Sequence, residues 1–568
     1  MRSGTTMRVR RLAGSVVVAA AAVAITIPAA QPAAAASYVP INGAGSTWSA
    51  NAIDDWVTNV AQYGMTVNYQ PVGSTSGRQE FADGTVDWGA SEIPYGVRDG
   101  NNYDPPPSRG YAYMPDTAGG TTFMYNLMIG NTRVTNLRLS GAAIAGIFTG
   151  AITNWDNSII AADNPGLTMP DLQIVPVVRS DGSGATAEFT QWMLATEPTD
   201  WDNYCAEVGR SPCTQTSTYP VLPNSAMIGQ SGDLGVSGYV SQPQADGAIG
   251  YVEYSYALET GFPVALVLNA AGYYTEPTAE NVAVSLLAAQ INMDKGSADY
   301  LTQNLSNVYT DPDPRTYELS SYSYMILPTD LSPPMNTAKG YTLGAFGAYL
   351  LCQGQVPLDA LGYSSLPINL VEAGFQQLQK IPGNQVPTTT TTQIQNCHNP
   401  TFSTNGTNTL ADDDPYPPAC DKQGNGQQCS TATGGATTST PVKPSARGSS
   451  SSSSSSSSAS PGAHTSASPG AHSSASASAA AGSAAQGCSA SGSCGSSAAA
   501  GPAGPQTVNA NPVSSPASLG DGAAVGLMAL AAVLLIGLVL GPPLIAQASR
   551  RRRQRDGSDL PGSPGAAP

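Results

Sequence analysis

Histidine is almost missing from this sequence. The 568 residues contain three histidines, His398, His464 and His472, and none lies between residues 38 and 383, where the composition allows an apolar core. A Ser–His–Asp or Cys–His catalytic site in that region is therefore excluded, as is a zinc site built on histidine. We predict that the protein is not an enzyme and needs no metal or cofactor.

Charged residues are also few, at 11% of the chain, and basic residues are the scarcest. Nine of the 23 lysines and arginines are arginines at the two chain ends, which leaves 14 basic and 36 acidic residues in 37–520. This excess of acid argues against nucleic acid as a partner. Any bound anion must be held by local dipoles and hydrogen bonds, against the overall field of the protein.

Each end of the chain carries an apolar run. Residues 1–36 join arginines, an apolar stretch and an alanine-rich end, the pattern of a cleaved secretory signal, with an N-terminal membrane anchor as the alternative. Residues 522–541 are uncharged and would span about 30 Å as a helix. By the positive-inside rule, the arginines at 550–553 would stay on the cytoplasmic side of the membrane. We predict export, a transmembrane helix at 521–546 and a basic cytoplasmic tail at 547–568.

Low-complexity sequence precedes the second apolar run. Residues 448–500 contain no aromatic and no charged residue, so they cannot bury enough apolar surface to fold. We predict a disordered stalk at 387–520.

The eight cysteines fit an oxidising exterior. We predict sequential pairing, one of 105 connectivities: Cys205–Cys213, Cys352–Cys397, Cys420–Cys429 and Cys488–Cys494.

The folded region, residues 37–386, alternates strand and helix patterns. A helix is predicted over 44–61, capped by Ser46 or Thr47, and strands over 66–72, 86–90, 123–129 and 174–178. This alternation predicts an α/β fold with largely parallel sheets.

Three polar loops stand near predicted helix starts: Ser46-Thr47, Ser74 to Ser76, and Ser183 to Ala185. Free amides and the helix dipole make such termini suitable for anions, although a single loop of this kind is usually an ordinary cap. Arg179 precedes the third loop, and its guanidinium suits a tetrahedral oxyanion. Asp181 lies two residues further and is expected to orient that guanidinium.

Several segments resemble motifs of the phosphate-binding receptors of high-affinity phosphate ABC transporters. They are Gly43 to Thr47, Asn68 to Ser74, Gly84 to Glu92, Phe148 to Asp156, Arg179 to Gly184, Ile249 to Tyr254 and Tyr363 to Pro367. The resemblance implies two α/β lobes with phosphate in the cleft between them. Lobe I would take residues 38–115 and 263–386, and lobe II residues 116–262.

The resemblance also implies the phosphate contacts. They are Thr47, Trp48 through its amide, Ser74, Glu92, Arg179, Ser183, Gly184 and Ala185. Glu92 stands where the family usually has Asp, and would accept a hydrogen bond from the phosphate proton. Ala185 stands where the family often has Thr, so one hydroxyl donor is lost.

The resemblance therefore implies a membrane-anchored extracellular receptor for inorganic phosphate. Neither a channel nor a P-loop is present, so separate permease and ATPase subunits would have to complete an ABC transporter. One alternative is a cell-surface or adhesion protein that keeps the fold and binds phosphate weakly or not at all. A phosphatase is disfavoured, because the region lacks histidine and a carboxylate metal cluster.

Overall fold

The computed structural model describes residues 37–99, 102–403 and 407–443. Within these ranges no helix is both long enough and apolar enough to cross a membrane. The predicted signal peptide, the transmembrane helix, the basic tail and the stalk from residue 444 onward lie outside the described residues.

Strands in the described residues are β1 (Ile41–Gly45), β2 (Val67–Gln70), β3 (Trp88–Ser91), β4 (Arg98–Asp99), β5 (Asn102–Tyr103), β6 (Tyr111–Asn126), β7 (Met128–Ile129), β8 (Thr132–Arg133), β9 (Arg138–Leu139), β10 (Val175–Arg179), β11 (Ile228–Gln230), β12 (Ala248–Glu253), β13 (Leu266–Leu268), β14 (Tyr274–Thr275), β15 (Gln290–Ile291), β16 (Gln303–Asn304) and β17 (Ser320–Pro328).

Helices in the same ranges are α1 (Ala50–Val60), α2 (Ser74–Ala82), α3 (Gly141–Phe148), α4 (Ser158–Asp163), α5 (Gly184–Thr196), α6 (Pro198–Glu207), α7 (Gly232–Val240), α8 (Tyr254–Thr260), α9 (Ala279–Ser285), α10 (Thr337–Leu351), α11 (Leu358–Leu361), α12 (Ile368–Leu378), α13 (Thr391–Gln395) and α14 (Thr409–Asp412). Short 3-10 turns occupy Ala61–Tyr63, Val308–Thr310, Gln353–Gln355 and Ala419–Asp421.

Eight strands follow one hydrogen-bonded order, β11-β10-β12-β6-β17-β3-β1-β2. β1 pairs in parallel with β2 and β3, and β10 pairs in parallel with β11 and β12. The two long strands β6 and β17 pair antiparallel with each other and with β12 and β3. The α/β prediction is confirmed, but the sheet is mixed, because the connecting strands run against the parallel sets.

Strand β6 joins the two halves of this order. Its first part, up to Gly120, pairs with β17 next to β3, and its second part, from Thr121, pairs with β12. We call the half containing β1, β2 and β3 the first lobe and the half containing β10, β11 and β12 the second lobe. The predicted boundary at residues 115 and 116 falls inside this one strand.

The chain returns to the first lobe later than residue 263, where the sequence analysis placed the return. Strand β13 pairs with β9, and the amide of Leu266 donates to the Leu137 carbonyl at 2.9 Å. Residues 264–275 therefore pack on the second lobe. The sequence gives no sign of this, because β13 is a short apolar strand that either lobe could accommodate.

The helix starts next to the polar loops differ from the prediction. Helix α1 begins at Ala50, after Ser49, and the Ser46 hydroxyl accepts the Ser49 amide at 3.1 Å. Helix α2 begins at Ser74 itself, following Gly73 at φ 93°. Helix α1 buries Ile53, Trp56 and Val60 against the first lobe, which holds the loop before it in place.

Three of the predicted disulfides are confirmed: Cys205–Cys213, Cys352–Cys397 and Cys420–Cys429. Cys488 and Cys494 lie outside the described residues.

The prediction that a disordered stalk begins at residue 387 is wrong for the described part of residues 387–443, which packs on the lobes. On the first lobe, Cys397 is bonded to Cys352, and Asn399 and Thr401 both donate to the Leu366 carbonyl at 2.9 Å. Ile394 is buried. We call residues 387–443 the C-terminal wrap.

The wrap continues on the second lobe. Asp421 forms an ion pair with Arg138 at 2.5 Å, and the Thr433 hydroxyl donates to the Val264 carbonyl at 2.5 Å. The amide of Lys443 donates to the Gly166 carbonyl at 3.0 Å. The prediction of disorder from composition was wrong here, because disulfides and side-chain hydrogen bonds to the backbone, rather than a large apolar core, order this segment.

Candidate functional site

The polar loops meet at the carboxyl ends of the parallel strands. Strand β1 leads into Ser46 and Thr47, β3 is followed by Glu92, and β10 ends at Arg179. In open α/β sheets this edge is where ligands bind. The amino ends of α2 and α5, with Ser74 and Gly184, lie at the same place and direct their first-turn amides there.

Glu92 lies at the centre of one half of the site and is 1% exposed. It accepts hydrogen bonds from the hydroxyls of Ser46, Ser74 (2.6 Å) and Ser323 (3.3 Å). Burial raises the pKa of Glu92, although the bonds from Ser46 and Ser74 oppose the shift. Burial therefore makes this carboxyl group easier to protonate than an exposed glutamate, and the two hydroxyl donors favour its ionised form.

Arg179 lies at the centre of the other half and is also 1% exposed. It donates to both oxygens of Asp181, at 2.8 and 2.5 Å, as expected from the sequence. It also donates to Asp233 at 2.7 Å and to the Thr47 hydroxyl at 2.8 Å. Burial works to lower the pKa of Arg179, but Asp233 and Asp181 outweigh it and raise the pKa, so Arg179 stays charged.

The two lobes make direct contact at the start of α5. The Gly184 amide donates to the Ser74 hydroxyl at 3.1 Å. A Cβ at Gly184 would lie 2.2 Å from Glu92 Oε2, so only glycine fits there. Ser183 caps α5 by accepting the Thr186 amide at 3.2 Å.

Ala185 is buried in the first turn of α5 and offers no hydroxyl. The neighbouring Thr186 does not replace it, because its hydroxyl is bonded to the Tyr251 hydroxyl at 2.7 Å.

Trp48 buries its indole, which donates to Thr121 at 3.1 Å, while its carbonyl accepts from Tyr363 at 2.7 Å. Trp48 can therefore face the site only through its backbone.

The sequence analysis missed two residues of the site. Asp233 is fully buried and bonds both Arg179 and Thr47, and Ser323 bonds Glu92. Asp233 follows Gly232 directly after strand β11, the neighbour of β10. A Gly-Asp pair at that strand end was the signal that could have found it. Ser323 lies inside β17 and carries no such signal.

Three more buried acids surround the site. Burial raises the pKa of Asp116 to about 8 and that of Glu188 to about 8, with the charge of Glu92 adding to both shifts. Burial also raises the pKa of Glu253 well above its usual range. With Glu92 and Asp233 nearby, the interior at this point is acidic and tolerates negative charge poorly.

A cavity of about 570 Å³ opens beside the site, between the lobes. Thr75 on the first lobe and Ser217 on the second line it, and their hydroxyls are bonded at 3.2 Å. Further out, Asp99 accepts from Arg210 and, at 2.9 Å, from Thr216. The lobes are thus joined at the mouth of the cleft as well as at its floor.

This arrangement suits the capture of a small oxyanion. It joins buried hydroxyls, helix-terminal amides and one guanidinium, and it holds the proton acceptors Glu92 and Asp233. Elsewhere in the described residues, Cys420, Asp421 and Cys429 are the one group with three potential metal ligands in reach of one another, and both thiols are consumed in a disulfide.

Comparison with known proteins identifies the family. The PBP superfamily domain matches residues 28–353. The phosphate-binding protein PstS of Xylella fastidiosa is 30% identical over 335 residues, covering 59% of this chain and 83% of that protein. The chain belongs to the PstS family. PstS of Pasteurella multocida is 31% identical over 333 residues, covering 58% of this chain and 88% of that protein.

These relatives are binding proteins, and the prediction that the chain is not an enzyme is confirmed. Among solved structures, a periplasmic phosphate-binding protein bound with phosphate aligns with a TM-score of 0.46 and 18% identity, covering 61% of this chain and all of that chain.

Proposed function

We propose that this protein is an extracellular receptor that captures inorganic phosphate in the cleft between its lobes and delivers it to the permease of an ABC transporter. Its PstS relatives are named as phosphate-binding proteins. The observation that carries the proposal is the junction of Thr47 and Ser74 from one lobe with Arg179 and Gly184 from the other.

The amides and hydroxyls at this junction would hold the phosphate oxygens, and Arg179 would supply the positive charge. Glu92 would accept the phosphate proton. Sulfate carries no proton at neutral pH, so an ionised Glu92 would repel it with nothing to offset the charge.

We further propose the extracellular membrane anchoring predicted from the chain ends, with permease and ATPase subunits as partners. An adhesion protein without phosphate binding is less well supported, because Arg179 stays charged and Asp181 and Asp233 hold its guanidinium group in one orientation.

Calorimetric titration of the full-length protein, purified in mild detergent, with phosphate and with sulfate tests the proposal. We expect one phosphate per chain without added metal, and no heat from sulfate. A folded protein that gives no heat with phosphate would contradict the proposed function.

A further inference from the structure

The proposed phosphate site contains a second buried carboxyl group besides Glu92. Asp233 lies in the first turn of α7 and is fully buried. Its Oδ2 accepts from the Thr47 hydroxyl at 2.5 Å and from Arg179 at 2.7 Å, and its Oδ1 accepts from the Glu253 amide at 2.9 Å. A carboxylate has about four acceptor sites, so one remains for a further donor.

Asp233 also fixes the direction of the Thr47 proton. A carboxylate accepts and does not donate, so the bond at 2.5 Å takes the single hydroxyl proton of Thr47. The Thr47 oxygen in turn accepts from Arg179 at 2.8 Å. The Thr47 oxygen also accepts from the Asp233 amide at 3.2 Å, so Thr47 offers a ligand neither a proton nor a free lone pair, and the ligand must break one of these bonds.

The charge of Arg179 is already offset inside the protein. Its three nitrogens donate to Asp181 and Asp233, which are two carboxylates against one guanidinium. Glu92 adds a third carboxyl group on the opposite side. A doubly charged ligand would therefore enter a site that has little positive charge left to balance it.

We propose that Asp233 is a specificity-determining residue, a second acceptor of a ligand proton beside Glu92, and that the site takes singly charged dihydrogen phosphate in preference to the doubly charged form. The inference rests on the proposed phosphate binding. Dihydrogen phosphate has two P–OH groups, one for each carboxylate. Hydrogen phosphate has one, and leaves a carboxylate facing a bare anionic oxygen.

The pH dependence follows from the ligand and from the groups around Asp233. The titratable groups that face Asp233 are Arg179, Asp181, Glu92, Glu253, Tyr256 and Tyr363. Burial raises the pKa of both tyrosines well above the usual range, so they stay neutral. The free ligand itself changes its charge near neutral pH, from the singly to the doubly charged form.

Calorimetry with inorganic phosphate on the full-length protein tests this. Between about pH 6 and about pH 8.5 the affinity should fall about twentyfold, as the singly charged form disappears. At about pH 8, titrations in two buffers of different ionisation enthalpy should show an uptake of about one proton per bound phosphate.

The Asp233→Asn variant should bind both forms, because its amide donates to a bare oxygen, and its affinity should change with pH several-fold less than the wild type. Asp163→Asn is the control, a buried aspartate bonded to Ser140 and Tyr274 outside the site, and should keep the wild-type profile.

A wild-type affinity that does not fall with pH, or binding without proton uptake, overturns the inference while phosphate binding stands. An unchanged pH profile in Asp233→Asn also overturns it. Absence of phosphate binding at every pH overturns the proposed function instead. If Asp233→Asn does not fold, the wild-type proton uptake still decides.

Discussion

The hydroxyl oxygen of Ser74, on the first lobe, accepts the amide proton of Gly184, on the second lobe, at 3.1 Å. The same hydroxyl donates to Glu92 at 2.6 Å. One side chain thus joins the proton acceptor of the site to the helix terminus that faces it, and the site is complete only when the lobes are together.

Replacement of Ser74 by alanine should therefore weaken phosphate binding. The change removes the hydroxyl proposed to bind phosphate and leaves Glu92 and the Gly184 amide each short of a partner. Loss of one neutral hydrogen bond to the ligand is worth about 0.5–1.5 kcal/mol, or roughly two- to tenfold in affinity. Calorimetry measures it. Ser76→Ala, two residues further in α2, is the matched control, and equal losses in both variants would remove Ser74 from the site.

Loss of Arg179 should have a larger effect. Arg179→Ala should lower phosphate affinity by about 1.5–3 kcal/mol or more, the range of a hydrogen bond to a charged group. It also leaves Asp181 and Asp233 without their cation, so the melting temperature should fall. Arg98→Ala, which removes an exposed guanidinium stacked on Tyr103, should change neither quantity. Unchanged phosphate affinity in Arg179→Ala would place the anion elsewhere.

Glu92 should control the choice between phosphate and sulfate. Glu92→Gln replaces an acceptor by an amide that can donate, so sulfate affinity should rise relative to phosphate. Competition titrations with both anions measure the ratio. Glu276→Gln changes a buried acid bonded to Gly434, away from the site, and should leave the ratio unaltered. Wild-type protein that binds sulfate as well as phosphate would contradict the role of Glu92.

Asp116 should make the fold less stable as the pH rises. Burial raises its pKa from 3.8 to about 8 in the folded state, so between these values the unfolded chain releases a proton that the folded protein keeps. The free energy of unfolding from this group therefore falls with rising pH across that window and levels off above it. Asp116→Asn should flatten the fall in melting temperature, and the exposed Asp156→Asn should not.

The C-terminal wrap should be needed for stability. A chain that stops after Gly383 loses the Cys352–Cys397 bond, worth about 2–4 kcal/mol, together with the hydrogen bonds to both lobes. Its melting temperature should lie several degrees or more below that of a chain that stops after Lys443. Equal melting of the two would show that the wrap adds nothing to the lobes.

The residues of the candidate site could be proposed from the sequence, because they stand in segments that resemble the motifs of the phosphate-binding family. Thr47, Ser74, Glu92, Arg179 and Gly184 do lie together. The direction of the Thr47 hydroxyl proton could not be predicted from the sequence, since it depends on Asp233, a residue 186 positions away.

The fold was predicted less completely. Strand β6 runs for 16 residues through Pro115, Gly119 and Gly120, residues that usually mark the end of a strand. Pairing on both sides, with β12 and with β17, keeps it extended. The wrap escaped prediction for the opposite reason: its Thr and Asn residues look like those of a linker until the backbone they bond to is known.

The course of the C-terminal wrap decides which lobe a force applied to the C-terminal end of the chain reaches first. The last described residue, Lys443, lies sixty residues beyond Gly383, and its amide donates to the Gly166 carbonyl on the second lobe. A pull applied through residues beyond 443 would enter the molecule there. The force would therefore reach the second lobe first, and would pass to the first lobe, which carries Thr47, Ser74 and Glu92, only through the contacts between the lobes.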